Sequence, residues 1–457
     1  MLNNETIIAL ATPNGKGAIS VIRISGSNAI ASTEKLFKSK NNKVLSQQSS
    51  HTVHLGYLLK NENELDEVLI TLFKGPHSYT GEDTIEISCH GSSYIQKEII
   101  DLFIENGVRV AKPGEFTLRA FINGKMDLNQ AEAVADLIAS ENEGSHNLAM
   151  QQMKSGFSND LKKLRGELLH FSSMIELELD FSQEDVEFAE REEFRKLTNT
   201  IKSELKTLID SFQSGNVLKN GISVAIAGKP NAGKSSLLNT LLNEEKAIVS
   251  DIPGTTRDSI EDSLVINGIN FRFTDTAGLR DTNDVIESKG IEKTKEKINN
   301  AKILLYLFDI NDTDINEIKS SLKTFKRKDL SILLVRNKID LKIQNKKLFN
   351  DLNQFELIEI SATEKKSVKK LKKRLIREVD VLNPYTDTII SNSRHYEALI
   401  KALKAIEEVN KGLKNNLSGD LLSVDIKRSV EFLAEITGDI TNDDVLGNIF
   451  ANFCIGK

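Results

Sequence analysis

The sequence predicts a multidomain chain of mixed class: an N-terminal α+β domain, a helical domain in two pieces, and an α/β domain inserted between those pieces. Three observations carry this. Up to about residue 118, short β-branched runs alternate with two helix-like runs. From 119 to 220, and again from 377 to 457, apolar residues recur at helical spacing. From 221 to 376, apolar strands alternate with helices, the pattern of a parallel sheet covered on both faces.

Bulk properties bound the answer. A chain of 457 residues is too long for one ordinary domain. The 39% apolar content supports real cores. A charged fraction of 28% and a net charge of −6 describe a soluble chain without the basicity that an unaided grip on nucleic acid favours. Two cysteines, Cys89 and Cys454, make no disulfide framework and suit a reducing cytosol. Met1-Leu2-Asn3-Asn4-Glu5 lacks the basic and apolar regions of a signal peptide, and no apolar run is long enough to span a bilayer. A cytoplasmic location is expected.

In the first domain, Thr6 to Leu10, Ala18 to Ile24, His51 to Leu59, Glu67 to Phe73 and Thr84 to Ser88 read as strands. Ser27 to Phe37 and Ser92 to Ile104 read as helices, the second stopping near Asn106-Gly107. Beyond it, Leu161, Leu164, Leu168, Phe171 and Ile175 form a heptad stripe, and Phe194, Leu197, Ile201, Leu205, Leu208 and Phe212 form a second. Both read as bundle core. Gly215 and Asn220-Gly221 mark a break.

In the inserted domain, apolar strands are expected at Ile222 to Ala227, Phe271 to Thr274, Lys302 to Ile310, Ser331 to Val335 and Glu356 to Ile360. Asn267-Gly268 signals a hairpin. Lys365 to Arg374 is lysine-rich and reads as a solvated helix face. After Pro384, Leu399, Leu403, Ile406, Val409 and Leu413 share one helix face. An apolar-rich stretch runs from Leu421 to Ile436, and a last helix starts near Thr441 or Asn442. The helices before and after the insert are expected to pack together.

The chemistry is concentrated in Gly228-Lys229-Pro230-Asn231-Ala232-Gly233-Lys234-Ser235, which fits G-x-x-x-x-G-K-[ST] between a strand and a helix beginning Ser235-Ser236. Backbone N–H groups and the helix N-terminus then cradle phosphate. Lys234 reaches the β and γ phosphates, and the Ser235 hydroxyl ligates Mg²⁺. Asp275-Thr276-Ala277-Gly278 follows a strand. There Asp275 can hold a Mg²⁺ water, and Gly278 can present an N–H to a γ-phosphate. A threonine of Thr255-Thr256-Arg257-Asp258 can close on Mg²⁺. Asn337-Lys338-Ile339-Asp340 selects the base: Asp340 accepts from N1–H and the 2-amino group of guanine, donors that adenine lacks, so the ligand is GTP. Ser361-Ala362 can place a backbone N–H on the guanine carbonyl. In this order the motifs describe a Ras-like P-loop GTPase domain.

Two choices stay open on the residues alone. Many small GTPases place a water-orienting glutamine after the Asp-Thr-Ala-Gly motif; here Leu279 stands there, and Asp281, Asp284 and Glu287 compete for that work. Asn231 reads first as a turn residue beside Pro230, and second as an amide oxygen suited to a monovalent cation.

Over essentially its full length the chain resembles the MnmE (TrmE) tRNA-modification GTPases. The matching stretches include Ala11-Thr12-Pro13, Arg23-Ile24-Ser25-Gly26, Tyr79-Thr80-Gly81-Glu82-Asp83 and Pro113-Gly114-Glu115-Phe116-Thr117. They continue through Arg119-Ala120-Phe121-Ile122-Asn123-Gly124-Lys125 to the tail Cys454-Ile455-Gly456-Lys457. One departure is Ser92 after Cys89-His90-Gly91, where a further glycine often stands.

The resemblance implies a protein that helps build the C5 aminomethyl or carboxymethylaminomethyl group on the wobble uridine of certain tRNAs. It implies a homodimer working with the FAD-carrying partner MnmG as a heterotetramer, and a tetrahydrofolate one-carbon donor in its 5-formyl or 5,10-methylene form. The N-terminal domain is then folate-binding-like, with Arg23, Glu82, Lys125 and Lys457 on the folate. Nucleotide contacts fall on Asn231, Ala232, Gly233, Lys234, Ser235 and Ser236. They continue on Ser250, Asp251, Ile252, Pro253, Gly254, Thr255 and Thr256, then on Asp275, Thr276, Ala277 and Gly278, and on Asn337, Lys338, Asp340, Ser361 and Ala362. K⁺ sits on Asn231, Ser250, Ile252 and Thr255, and Mg²⁺ on Ser235 and Thr256. Glu287 matches the family's water-orienting glutamate, and Cys454 a tail cysteine that can be a reactive thiol. The rival expectation is a ribosome-assembly or regulatory GTPase, which shares the nucleotide motifs but not the N-terminal domain or the tail.

Overall fold

The computed structural model describes residues 5–154, 156–180, 191–243, 261–275, 298–309, 311–327, 330–342, 356–380, 389–441, 443–451 and 453–456. The chain divides into two compact units. One comprises Met1–Ile138, Gln152–Glu190 and Asn415–Lys457; the other comprises Ala139–Gln151 and Arg191–Lys414.

The first unit is built on a seven-stranded sheet of order β3-β4-β5-β6-β2-β1-β7. Its strands are β1 (Ile7–Leu10), β2 (Ile19–Ser25), β3 (Phe37–Ser39), β4 (Thr52–Lys60), β5 (Asn63–Phe73), β6 (Thr84–His90) and β7 (Arg109–Val110). Period-two alternation sends Ile22, Ile24, Ile70, Leu72, Ile85 and Ile87 to one face. Helices α1 (Ala29–Leu36) and α2 (Ser93–Glu105) cover that face through Ala29, Ile99 and Phe103. On β1, Ile8 joins this core, whereas Ile7 and Ala9 point the other way against Ala111 and Phe116. Phe116 belongs to α3 (Glu115–Ile122), so helix begins a little before residue 119. The short strands β3 and β7 carry too few residues for a period to register in the sequence.

The same unit continues with α4 (Leu128–Ile138), α6 (Gly156–Asp180), α12 (Gly419–Thr437) and α13 (Asp443–Ala451). All five residues of the first heptad stripe are buried on α6. Helix α12 packs against α6 and buries Leu422, Ile426, Val430 and Leu433. Phe450 of α13 and Phe453 close over Leu128 and Ala131 of α4.

The second unit holds a six-stranded sheet of order β13-β12-β11-β8-β10-β9. The strands are β8 (Ile222–Gly228), β9 (Glu261–Ile266), β10 (Ile269–Asp275), β11 (Ile303–Asp309), β12 (Ser331–Asn337) and β13 (Leu357–Glu359). All neighbours run parallel except β9 and β10, which form the hairpin with Asn267 (φ 53°) and Gly268 (φ 78°) at its turn. Both faces are covered, which is why β11 is buried at every position and reads as one apolar run. Val224, Ile226, Leu305 and Leu307 face α8 (Lys234–Asn243) and α10 (Lys365–Asp380), while Leu304, Tyr306 and Phe308 face α9 (Ile315–Phe325).

This unit also contains α5 (Glu143–Met153, up to Gln151), α7 (Arg191–Asn220) and α11 (Ser393–Lys414). Helices α7 and α11 pack along each other, with Phe212 stacked on Tyr396 at 4.2 Å between ring centroids. One expectation is corrected here. Gly215 does not break the helix; α7 runs through it to Asn220. A Cβ at 215 would lie 2.0 Å from the Ile390 carbonyl oxygen, so the glycine serves close approach of two backbones. The break falls at Gly221, whose φ is 73°.

Candidate functional site

In the second unit, the C-terminal ends of β8, β10, β11 and β12 bring Gly228, Asp275, Asp309 and Asn337 to one sheet edge. That is where ligands bind in open α/β sheets. The phosphate loop follows β8. Gly228 (φ 147°) pairs with Leu307, and a Cβ there would lie 2.1 Å from the Leu307 carbonyl oxygen. Asn231 adopts the left-handed conformation (φ 63°), which asparagine tolerates better than most side chains, and is exposed. Gly233 (φ 94°) is equally tight: a Cβ would meet Asn337 Nδ2 at 2.1 Å.

Lys234 opens α8 and folds its ammonium over the loop, donating to the carbonyls of Gly228 (2.8 Å) and Lys229 (2.7 Å). Ser235 and Ser236 are exposed in the first turn, where backbone N–H groups have no partner inside the helix. Ala232 is buried. This donor set (ammonium, first-turn N–H groups, a free-standing hydroxyl) fits a polyphosphate with its divalent cation.

The base-recognition side is tied to this loop by Asn337. Its buried amide donates to the Ala232 carbonyl (2.8 Å), and its Oδ1 accepts from the Ala362 N–H (2.8 Å). One side chain therefore holds the phosphate loop and the Ser361-Ala362 loop at a fixed separation. Thr240 of α8 adds a second tie, donating to the Ala362 carbonyl at 2.6 Å. The Ser361 N–H goes to Ser367 Oγ at 2.9 Å. Lys338 (φ 59°) pairs with Asp309 at 3.1 Å, and Asp340 is exposed on the turn that follows. Ser250, Asp251, Ile252, Pro253, Gly254, Thr255, Thr256, Thr276, Ala277, Gly278 and Glu287, with its competitors Asp281 and Asp284, lie outside the described residues. Asp275 is placed by its strand, in register with Ile226.

The first unit brings a second group together. Arg23 on β2 donates through Nε and Nη2 to Glu86 Oε1 (2.9 and 2.7 Å) and lies over the rings of Tyr79 (5.0 Å) and Phe116 (5.7 Å). Its Nη1 reaches the Gly456 carbonyl at 3.5 Å. Residue 454 is held by a backbone bond from the Gly114 N–H to its carbonyl (3.4 Å), with Cys454 itself exposed. Gly456 (φ 101°) lies so close to β1 that a Cβ would be 2.2 Å from the Leu10 carbonyl oxygen. The tail is thus seated beside Arg23; Lys457 lies outside the described residues.

Glu82 is the other pole. Its carboxylate accepts from Ser25 Oγ (2.7 Å) and from Arg119 Nη1 (3.0 Å). Arg119 is only 2% exposed and also binds Glu115 (3.0 Å), which in turn takes two bonds from Arg109. Burial pushes the Glu115 carboxyl up, but the Arg109 guanidinium, the Lys112 N–H and Arg119 outweigh it and hold the group below its ordinary value. Lys125 is exposed and donates to the Pro76 carbonyl at 2.9 Å. Cys89 is buried, and burial pushes its thiol up to about 11, which leaves it inert at neutral pH.

Sequence reasoning missed Glu86, Ser25 and Arg119 as supports of this group, and it missed the clamp made by Asn337. The four-residue spacing of Glu115 and Arg119 was the available signal, since it places both on one helix face. Among the described residues no helix is long and apolar enough to cross a membrane.

Comparison with known proteins places these features. Family models described as "GTP-binding protein TrmE N-terminus" and "MnmE helical domain" match residues 6–125 and 128–454. A protein of Flavobacterium johnsoniae named "tRNA modification GTPase MnmE" is 56% identical over 469 residues, with 100% of both chains covered. Proteins of the same name from Christiangramia forsetii and Bacteroides thetaiotaomicron are 53% and 52% identical, over 99% and 100% of both chains.

Proposed function

Because the chain belongs to the MnmE family of tRNA modification GTPases, we propose that it couples GTP hydrolysis to wobble-uridine modification through a folate-binding first unit and a K⁺-stimulated second unit. The chain is a GTP hydrolase acting in tRNA modification. The observation that carries the nucleotide reading is the Asn337 clamp. It fixes the phosphate loop and the Ser361-Ala362 loop together, with Asp340 exposed beside them to select guanine.

In this reading Lys234 leaves its two carbonyl partners for the β and γ phosphates, and the Ser235 hydroxyl joins Thr256 on the divalent cation. Mg²⁺ and K⁺, when bound, would neutralise the charge spread over the phosphate oxygens. Asn231, turned into the left-handed region at the loop's apex, offers its amide oxygen to K⁺, with Ser250, Ile252 and Thr255 completing that set. Glu287 orients the attacking water through a second water. Turnover is expected to fall sharply when NaCl replaces KCl, and equal rates would reject the K⁺ assignment. Glu287→Ala should lose most turnover while binding GTP normally; unchanged hydrolysis would move the role to Asp281 or Asp284.

In the first unit, Glu82 is an acceptor-only carboxylate held in place by Ser25 and Arg119. That suits the N–H edge of a reduced pteridine. Arg23, Lys125 and Lys457 supply cations for the folate carboxylates. Tail residue Gly456 beside Arg23 supports this reading over a ribosome-assembly GTPase, which offers no use for a tail seated there. We assign Cys454, exposed on that tail, as its reactive thiol. A homodimer joined by MnmG completes the proposal. Isothermal titration of 5-formyltetrahydrofolate into the full chain should show saturable binding that Glu82→Gln weakens. Mass spectrometry of wobble nucleosides from cells lacking the gene tests the whole reading, and a fully modified tRNA pool would sink it.

A further inference from the structure

Helix α10 carries a charge pattern that its packing does not explain. One face is apolar: Val368, Leu371, Leu375 and Val379 are buried in the core of the second unit. The opposite face exposes Lys365, Lys366, Lys369, Lys370, Lys373 and Arg377. At the helical period these six cations fall within an arc of about 140° and along about 18 Å of axis. No Asp or Glu lies between 365 and 377. Arg374, on the edge of the arc, is neutralised by Glu356 at 2.7 Å and by Glu378. None of the six forms an ion pair with a described residue.

This face works against the helix that bears it. Lys365/Lys369, Lys366/Lys370, Lys369/Lys373 and Lys373/Arg377 are like-charge pairs four apart, each destabilising. Lys365 and Lys366 sit in a first turn without acidic residues, where cations oppose the helix dipole. A face kept merely for solubility mixes signs, and the chain as a whole is net acidic at −6. Six clustered cations, five of them lysines with mobile point charges, instead fit a row of phosphates read without regard to sequence.

We propose that the exposed face of α10 docks the phosphate backbone of tRNA. The proposal rests on the reading of the chain as acting on tRNA. It goes beyond that reading by assigning a contact surface within the GTP-binding unit. The helix begins three residues after Ala362, and Ser367 on its inner face is hydrogen-bonded to the Ser361 N–H and carbonyl. The docked RNA would therefore lie on the element that supports the guanine loop, without touching Asn337 or Asp340.

The test uses the full chain with GTP and a fluorescent tRNA transcript carrying uridine at the wobble position, titrated from 50 to 200 mM KCl at about 1 mM Mg²⁺. The variant carries Lys366→Gln, Lys369→Gln, Lys370→Gln and Lys373→Gln; a control carries Lys319→Gln and Lys323→Gln on α9. The variant should bind tRNA about tenfold or more weakly, and its slope of log K against log salt should drop by about two to four. GDP affinity should be unchanged in both, and the control should bind tRNA as the parent does. If the parent binds tRNA and the variant matches its affinity and slope, the docking face is wrong while the tRNA reading stands. No tRNA binding by the parent at 50 mM salt would overturn both. Loss of binding to phosphatidylglycerol vesicles, with tRNA binding unaffected, would reassign the face to membrane.

Discussion

Arg119 is among the largest fully buried side chains of the described residues, and it is charged. Its guanidinium bridges Glu115 and Glu82, so removing it takes the paired cation from Glu82 and leaves Glu115 to Arg109 alone. Arg119→Ala is expected to cost about 3–5 kcal/mol, read as a lower urea midpoint for the first unit. Glu115 adds a pH dependence. Its folded pKa lies below that of the unfolded chain, so its contribution is complete above the ordinary carboxylate range. It is lost as pH falls through the depressed folded value. Glu115→Gln should flatten the acid limb of stability against pH, and an unchanged limb would place that dependence elsewhere. The four-residue spacing of Glu115 and Arg119 hinted at their pairing, but not at burial: an arginine in a short helix reads as surface, and only the sheet beneath α3 makes it interior. Asn337 is the parallel case. Its motif announced guanine, but its grip on Ala232 and Ala362 depends on where two loops meet.

The long elements were the readable ones. Each residue of the stripe Leu161 to Ile175 is buried, because a heptad on a helix of this length has one way to be satisfied. Glycine was less readable, since the same residue marks a break, a cap or a close contact. Gly215 and Gly166 separate these uses. Alanine at 166, exposed with nothing within 4 Å of its Cβ, should stabilise α6 by about 0.5–1 kcal/mol. Alanine at 215 gains the same helix propensity but drives its Cβ into the Ile390 carbonyl, a backbone atom that cannot step aside. The contact should win, for a net loss of about 1–3 kcal/mol. Urea unfolding of both variants decides it; two stabilised proteins would show that α7 and Ile390 can part at no cost.

At the scale of the molecule, two compact units carry separate sites, nucleotide in one and the Arg23–Glu82 group in the other. Ligands should therefore stabilise them selectively. Saturating GDP and Mg²⁺ at a hundred times the dissociation constant is worth about 2.7 kcal/mol to the unit that binds it. Calorimetry should show one transition rise with GDP and a different one rise with 5-formyltetrahydrofolate. A single transition raised equally by both would mean that the units melt as one.

The order in which the segments of these units follow one another has a consequence during synthesis. The polypeptide is threaded so that the GTP-binding unit possesses all its residues once position 414 has left the ribosome. The other unit, although it supplies the first strand, still lacks α12 and α13 at that moment. Until they emerge, the apolar stripe of α6 lacks the cover of α12, and the surface around Leu128 lacks Phe450 and Phe453. The part that begins first must therefore finish last, and nascent chains stalled where residue 414 has just cleared the ribosome should bind nucleotide while their α6 segment still recruits chaperones.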